Sequence, residues 1–217
     1  MLRASVFGVS DGLVSNLALV MGVAGGSLEA QTVVLAGWAG LLAGACSMAA
    51  GEYVSMQTQR EMLERELRIE RDHIERFPRD EEEELAALLA ESGLDAEDAQ
   101  RMAAQIHRRQ EHAIHFHAQL ELGINPGGLG SPLRASLSSF VCFAGGALIP
   151  LLPWILVERA LPTSIAVSAA ALLAVGALAT RVTHVRPWWG ATRQLLVGAV
   201  SASVTYAVGV LIGRAAL

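Results

Sequence analysis

The chain has 217 residues, of which 53% are hydrophobic and only 17% are charged. That composition is too apolar for an ordinary soluble domain. The charges are also segregated, because residues 57–121 hold 17 of the 21 acidic residues and nine of the 16 arginines, which leaves this stretch near −8. We therefore expect a membrane protein with one acidic insertion, which argues against nucleic acid as a partner and for cations.

Five stretches reach the roughly 20 apolar residues that a membrane-spanning helix needs. They are residues 5–26, 32–55, 133–156, 162–183 and 190–213. The arginines concentrate after the second stretch, at the start of the third, and between the fourth and fifth. The positive-inside rule therefore predicts a cytoplasmic N-terminus and insertion and an external C-terminus. We expect a bacterial plasma membrane, because the chain is short and carries no targeting extension.

The predicted fold is all-α and polytopic, with five transmembrane helices and a cytoplasmic three-helix insertion between helices two and three. The predicted domains are residues 1–56 (helices one and two), 57–124 (the insertion) and 131–217 (helices three to five). Within the insertion, helix two should continue to about residue 76, where Pro78 ends it. Asp80 and Asp95 are predicted to cap two further helices, at 81–92 and 96–122.

An aspartate lies within the first predicted span, where an ionisable group costs roughly 3 kcal/mol on insertion scales and usually marks a polar path. Folding the first hairpin about residue 29 places Asp11 and Met48 at one depth. A carboxylate and a thioether together suit a borderline divalent metal. Asn16 would continue the track, and Glu52, one turn beyond Met48, would admit ions from the cytoplasm. The alternatives are a satisfied buried polar group, packing for the methionine, and snorkelling for Glu52.

The insertion carries many carboxylates and imidazoles at helical spacing. The predicted metal ligands are Glu70, His73, Glu81, Glu84, His107, Glu111, His115, His117 and Glu121. Oxygen and imidazole ligands suit Fe²⁺, Mn²⁺ or Zn²⁺. The alternative is a solvated polar face, with Glu81 and Glu84 interacting with a helix dipole.

Motifs of enzymes are absent from the sequence. We find no P-loop, no Gly-x-Ser-x-Gly and no paired-cysteine zinc pattern. The element Glu70-x-x-His73 occurs once, whereas di-iron helix bundles use it twice, so a ferroxidase centre has little support. We expect a protein that is not an enzyme and that does not use ATP itself.

Four segments resemble the signatures of the vacuolar iron transporter family. They are Ser10-Asp11-Gly12-Leu13-Val14-Ser15-Asn16, Ser47-Met48-Ala49-Ala50-Gly51-Glu52-Tyr53-Val54-Ser55, residues 145–153 and residues 193–198. The resemblance implies five membrane helices, a homodimer with the pore between its subunits, and a cytoplasmic three-helix metal-binding domain. It implies proton-coupled export of Fe²⁺, often with Mn²⁺, and a pathway lined by Asp11 and Met48. Glutamates of the family's soluble domain match Glu70, Glu81, Glu84 and Glu121.

The chain departs from the family pattern at three places. Gly40 stands where iron-storing eukaryotic members carry a pore glutamate, so Glu52 or Asp11 would have to couple protons. His73 stands where a second glutamate is expected, and His117-Ala118 replaces a methionine pair. These changes make the soluble site harder and richer in imidazole, which favours Mn²⁺ or Zn²⁺.

Two functions follow from these residues. The first is a homodimeric proton-coupled transporter that sits in the lipid bilayer and moves Fe²⁺ or Mn²⁺ across it, out of the cytoplasm. The second is a membrane-anchored metal buffer or sensor, in which the membrane helices only tether and dimerise. Asp11 discriminates between them, because a tether has no use for an aspartate at that depth.

Overall fold

The computed structural model describes residues 2–27, 29–120, 123, 130–183 and 186–215, with backbone alone for 2–5, 182 and 183. The described residues form eight α-helices. They are α1 (Leu2–Gly26), α2 (Ala30–Arg76), α3 (Pro78–Glu91), α4 (Ala96–His107), α5 (Gln110–Leu120), α6 (Pro132–Leu156), α7 (Ala160–Thr183) and α8 (Pro187–Ala215). The chain divides into a membrane unit, residues 1–53 with 133–217, and an insertion unit, residues 54–132.

Five of the helices, α1, α2, α6, α7 and α8, are long and apolar enough to cross a membrane. The predicted all-α polytopic fold with five spanning helices is therefore confirmed. Helix α2 has 47 residues and ends at Arg76, as expected from the absence of Pro and Gly after Gly51. At 1.5 Å per residue it is about 70 Å long, more than twice what a bilayer core requires.

The core of the membrane unit forms around α1. Its buried residues recur at helical spacing and pack against Trp154 of α6 and Leu172 of α7; they are Leu13, Leu17, Val20, Met21 and Ala24. Small residues let neighbouring backbones approach closely, as membrane helices require. A Cβ at Gly12 would overlap the backbone oxygen of Phe143. Gly12 thus lets α1 and α6 pack closely against each other.

The insertion unit has a separate apolar core. Leu85 and Leu89 of α3 pack with Ile74 of α2 and with buried residues of α4 and α5. The buried residues are Ala99, Ala103 and Ile106 on α4 and Ala113 and Ile114 on α5. Alanines at four-residue spacing bring the short helices close together. Gly93, at φ +105°, follows the end of α3, where a residue with a side chain would be strained.

The predicted start of α3 is wrong by one turn. We expected a helix at 81–92 capped by Asp80, but α3 begins at Pro78 with Phe77 at the N-cap. Pro78 ends α2 and also occupies the first turn of the next helix, where its missing N–H has no cost. Asp80 is therefore already inside the first turn. Asp95 does stand at the N-cap of α4, although its side chain makes no capping hydrogen bond.

The predicted third insertion helix, 96–122, is also corrected. The structure divides it into α4 and α5 at Arg108 and Arg109. The backbone oxygen of Arg109 accepts hydrogen bonds from the N–H groups of His112 (2.9 Å) and Ala113 (3.0 Å), which starts a new helix. Neither Pro nor Gly marks this break, so helical periodicity alone suggested one continuous helix.

Candidate metal centre and membrane cavity

Three buried side chains of the insertion unit meet in a cluster that could hold a metal ion. Glu70 comes from α2, Glu81 from α3 and His117 from α5. Each offers one ligand atom, and these atoms all lie within 4.8 Å of one another. His117 Nδ1 lies 3.0 Å from Glu70 Oε1 and 3.7 Å from Glu81 Oε2. Two carboxylates and one imidazole suit Fe²⁺, Mn²⁺ or Zn²⁺ and leave positions open for water or further ligands.

Burial of these carboxylates is the feature that favours a cation at the cluster. Glu70 is 7% exposed and Glu81 is 8% exposed. Carboxylates are seldom buried unless they are paired or coordinate metals. Glu70 Oε1 faces His117 Nδ1, the same nitrogen that faces Glu81 Oε2, so one imidazole is shared by two carboxylates. Glu81 Oε1 has His73 Nδ1 at 3.5 Å, but that imidazole is half exposed.

The electrostatics of the cluster agree with its geometry. The pKa of the Glu81 carboxyl is raised above its usual value, first because burial disfavours the charged form and next because Glu70 repels it. The neighbouring His117 acts in the opposite direction. Two carboxylates at one buried position compete for protons unless a cation neutralises them. A divalent ion would supply that charge and would compete with protons for the Glu81 carboxylate.

His107 contacts the cluster from the far side of His117. The Nε2 atoms of the two rings are 3.1 Å apart, and the rings cross at 68°. In a continuous helix these residues, ten positions apart, would be separated by about 15 Å along the axis. The break at Arg108 and Arg109 folds α5 back and brings the two imidazoles together. Burial lowers the pKa of His107, and the neighbouring His117 lowers it further.

A second candidate site is a cavity of about 450 Å³ in the membrane unit. Its lining comes from α1, α2 and α6 and consists of Asp11, Ser15, Asn16, Leu19, Gly40, Gly44, Ser47, Met48 and Phe143. The cavity thus brings together Asp11, Met48 and Asn16, which the sequence placed on one polar track. A carboxylate, a thioether and an amide face one space, and all three can offer a lone pair to a metal ion.

The two arms of the first hairpin supply this lining by helical periodicity. Gly40, Gly44 and Met48 recur every four residues on α2 and share one face. Asp11 and Ser15 have the same spacing on α1, and the Ser15 hydroxyl donates to the backbone oxygen of Asp11 at 2.7 Å. Glu52, one turn beyond Met48, is half-buried and is not among the lining residues.

Comparisons with known proteins agree with this architecture. A model of the VIT family matches residues 2–210. The chain belongs to the VIT family. It is 36% identical to a vacuolar iron transporter of Acanthamoeba castellanii, over 97% of this chain and 78% of that protein. It is 32% identical to vacuolar iron transporter 2 of Oryza sativa subsp. japonica, over 94% of this chain and 84% of that protein.

The relatives in the VIT family are named as transporters, which are not enzymes, in agreement with our expectation. The match also confirms the family resemblance read from the motifs. It extends over the membrane helices and the insertion alike. Both the cavity and the buried cluster therefore lie in the part of the chain that the VIT family shares.

The structure separates the predicted ligands of the insertion into three groups. Glu70, Glu81 and His117 form the buried cluster, and His73 and His107 adjoin it. The side chains of the second group are exposed and lie outside the cluster; they are Glu84, Glu111 and His115. Glu121 lies outside the described residues. The face that we predicted from His107, Glu111 and His115 is broken by the turn between α4 and α5.

Sequence reasoning missed three features of these candidate sites. Ser47 and Gly44 line the cavity, and their spacing from Met48 and Gly40 could have identified them. Phe143 belongs to α6, which is distant in sequence from the first hairpin, and no periodic signal connects them. The contact between His107 and His117 was missed because the helix break has no sequence marker.

Proposed function

We propose that this chain is a proton-coupled transporter that exports Fe²⁺ from the cytoplasm, with Mn²⁺ as a second substrate. The observation that carries the proposal is the cavity that joins Asp11, Asn16 and Met48 from two neighbouring membrane helices. The names of the relatives support iron as the substrate, because they are vacuolar iron transporters. The combination of a carboxylate with a thioether suits Fe²⁺ better than a hard ion such as Mg²⁺.

The acidic insertion would collect the ion before transport. Its buried cluster of Glu70, Glu81 and His117 offers two charged oxygens and one imidazole nitrogen. Glu52 would then admit the ion to the pathway, where Asp11 and Met48 bind it and Asn16 passes it on. Each of these binding steps needs a lone pair and an open coordination position rather than a closed cage.

A homodimer is the second part of the proposal. Asp11 lies within a membrane-spanning segment, yet its side chain is exposed on the single chain. A carboxylate facing lipid would cost roughly 3 kcal/mol on insertion scales. A second copy covering this face of α1 and α2 would remove that cost and would double the carboxylates and thioethers around the ion. We therefore place the pathway between two subunits.

Proton coupling would come from competition for the same ligands. A carboxylate or an imidazole must lose its proton to bind a metal, so a proton gradient can drive release. Gly40 offers no carboxylate in the cavity. The coupling group in the membrane unit is therefore Asp11 or Glu52, which are the acidic residues at that end of the first hairpin.

The arginine distribution supports the orientation, with the N-terminus and the insertion cytoplasmic. Large apolar side chains on α6 and α7, such as Leu137, Val141 and Ile165, are more than half exposed and suit contact with lipid. The bacterial plasma membrane is the membrane that we propose. Export across it would lower the metal content of the cytoplasm.

The decisive experiment is metal flux in proteoliposomes with an imposed pH gradient, tested with Fe²⁺, Mn²⁺, Co²⁺ and Zn²⁺. We expect Fe²⁺ flux that depends on the gradient and that falls at least tenfold in Asp11→Asn. The control is Glu158→Gln, which removes an acidic side chain outside the cavity and should leave flux unchanged. Full flux in Asp11→Asn would refute the assigned pathway.

The same experiment discriminates between transport and the alternative of a membrane-anchored buffer or sensor. A buffer binds metal at the insertion and moves none across the bilayer. Wild-type protein that binds Fe²⁺ but gives no flux above empty liposomes would favour the buffer. Flux that persists when residues 57–121 are replaced by a short linker would assign transport to the membrane helices alone.

A further inference from the structure

We propose that His107 is a positioning residue that fixes the tautomer of His117, so that Nδ1 of His117 faces the metal as an unprotonated ligand. The inference deepens the proposed function and rests on the metal centre at Glu70, Glu81 and His117. It gives His107 a different role from that of a ligand, which its spacing in the sequence had suggested.

The two nitrogens of His117 face different partners. Nδ1 faces the carboxylates, at 3.0 Å from Glu70 Oε1 and 3.7 Å from Glu81 Oε2. Nε2 faces Nε2 of His107 at 3.1 Å, which is hydrogen-bond distance. A neutral imidazole carries one proton, so the nitrogen that binds a metal must be the one without it. A metal ion at Nδ1 therefore requires the proton of His117 to be on Nε2. The Nε2–H group can then donate a hydrogen bond to Nε2 of His107.

His107 is placed to be this acceptor and not a fourth ligand. Metal–nitrogen bonds are about 2.1 Å long, and the lone pairs of Nδ1 and Nε2 point in different directions. An ion held by both carboxylates and by Nδ1 of His117 therefore lies beyond bonding distance of His107 Nε2. In agreement with this, the group of mutually close ligand atoms among the described residues comprises Glu70, Glu81 and His117, without His107.

The surroundings restrict the ring of His117 and leave the ring of His107 partly open to solvent. His117 is fully buried and has no freedom to turn toward water. His107 is half-buried and borders a cavity of about 430 Å³ that is also lined by Glu75 and Glu82. If His107 accepts at Nε2, its own proton must be on Nδ1. Metal-binding histidines usually donate their second ring N–H to such a partner, and loss of that partner typically costs 10–100-fold in metal affinity.

The test compares the full-length protein in detergent with His107→Leu, His107→Gln and Glu81→Gln, with Zn²⁺ as the probe. Affinity is measured by competition with a chelating dye. Leucine removes the acceptor, and we expect a loss of about 10–100-fold. Glutamine retains an oxygen that can accept from Nε2–H, and we expect it to recover most of the loss. Equal affinity of wild type and His107→Leu would overturn the proposal.

X-ray absorption at the zinc edge, with one equivalent of Zn²⁺ per chain, distinguishes positioning from ligation. We expect the same number of imidazole ligands in wild type and in His107→Gln. One imidazole ligand fewer in His107→Gln than in wild type would show that His107 is a ligand and would overturn the inference. This measurement does not require the His107→Leu variant to fold. Glu81→Gln separates the two proposals: if it too binds Zn²⁺ as wild type does, the metal centre itself is refuted. If Glu81→Gln loses binding while both His107 variants keep it, only the role of His107 fails.

Discussion

The side-chain amide of Asn16 donates from Nδ2 to the backbone oxygen of Ala147 at 2.7 Å, and this bond joins α1 to α6 inside the membrane unit. Because Nδ2 makes the bond, the orientation of the amide is set, and Oδ1 is the free end. Oδ1 is buried and accepts no hydrogen bond from the described residues. It lies 3.1 Å from the place that a Cβ of Gly40 would occupy, beside the cavity. An unsatisfied carbonyl oxygen at this position would be available to a cation in the proposed pathway.

Replacing Asn16 by alanine should therefore impair transport. The change removes Oδ1 from the cavity together with the bond to Ala147. We expect metal flux in proteoliposomes to fall at least tenfold, while the protein still folds, because one side-chain hydrogen bond contributes only about 1 kcal/mol. Ser168→Ala is the matched control, since the Ser168 hydroxyl is also buried and makes no hydrogen bond among the described residues. Wild-type flux in both Asn16→Ala and Ser168→Ala would show that Asn16 is not part of the pathway.

Gly145 and Gly146 provide a stability test on adjacent positions of α6. A Cβ at Gly146 would overlap the backbone oxygen of Val9 on α1, whereas a Cβ at Gly145 meets no described atom within 4 Å. Gly146→Ala must push two helix backbones apart, and we expect a cost of about 1–3 kcal/mol. Gly145→Ala should be neutral or stabilising by up to about 1 kcal/mol, because alanine favours helices. Thermal unfolding in detergent measures both changes, and similar melting temperatures would contradict the close packing of α1 on α6.

The membrane unit was predictable because its signals are local. A run of about 20 apolar residues implies a spanning helix wherever it occurs, so five spans followed directly from composition. The shared depth of Asp11 and Met48 followed from the short turn between α1 and α2, which fixes how the two arms align. Phe143 was not predictable in this way, because packing of α6 on the hairpin depends on contacts between distant parts of the chain.

The insertion unit shows where sequence reasoning stops. Glu70 and Glu81 could be chosen as ligands by residue type, but their burial depends on how α2, α3 and α5 pack. Periodicity placed His107 with Glu111 on one continuous face, whereas the chain turns between them. Ending one helix at Arg108 and Arg109 and starting another has a free-energy cost, and packing of α5 on the apolar core outweighs it.

Glu81 should destabilise the insertion unit when metal is absent. Its pKa is raised in the folded protein, chiefly by burial, so the folded state holds a proton that the unfolded chain has lost. The free energy of unfolding therefore falls as the pH rises from the unperturbed value of 4.5 through the raised pKa of the folded protein. Glu81→Gln removes this pH-dependent loss of stability, because glutamine carries no titratable group.

The measurement is thermal unfolding of chelator-treated protein between pH 4.5 and pH 7.5. We expect Glu81→Gln to unfold at a higher temperature than wild type at pH 7.5, by about 2–4 °C for each kcal/mol gained. The advantage should shrink toward pH 4.5, because the unfolded chain also binds a proton at Glu81 as the pH approaches its unperturbed value. The exposed neighbour Glu83 is the control, and Glu83→Gln should follow the wild-type curve. A Glu81→Gln curve parallel to wild type across this range would contradict the raised pKa.

Glu81 and Glu84 lie about one turn apart on α3, and comparing them distinguishes a buried ligand from an exposed carboxylate. Glu81 belongs to the cluster with Glu70 and His117, whereas the Glu84 side chain is exposed. Loss of one charged ligand from a site of three should weaken Mn²⁺ binding at least tenfold, because glutamine is a neutral and weaker donor to this ion. Glu84→Gln should change the affinity less than threefold by our expectation, since charges at the surface are largely screened. Isothermal titration of Mn²⁺ into each full-length variant gives the comparison. Equal losses in the two variants would mean that the ion does not bind within the buried cluster, since Glu84 lies outside it. The apo stability of Glu81→Gln would then be unrelated to metal binding.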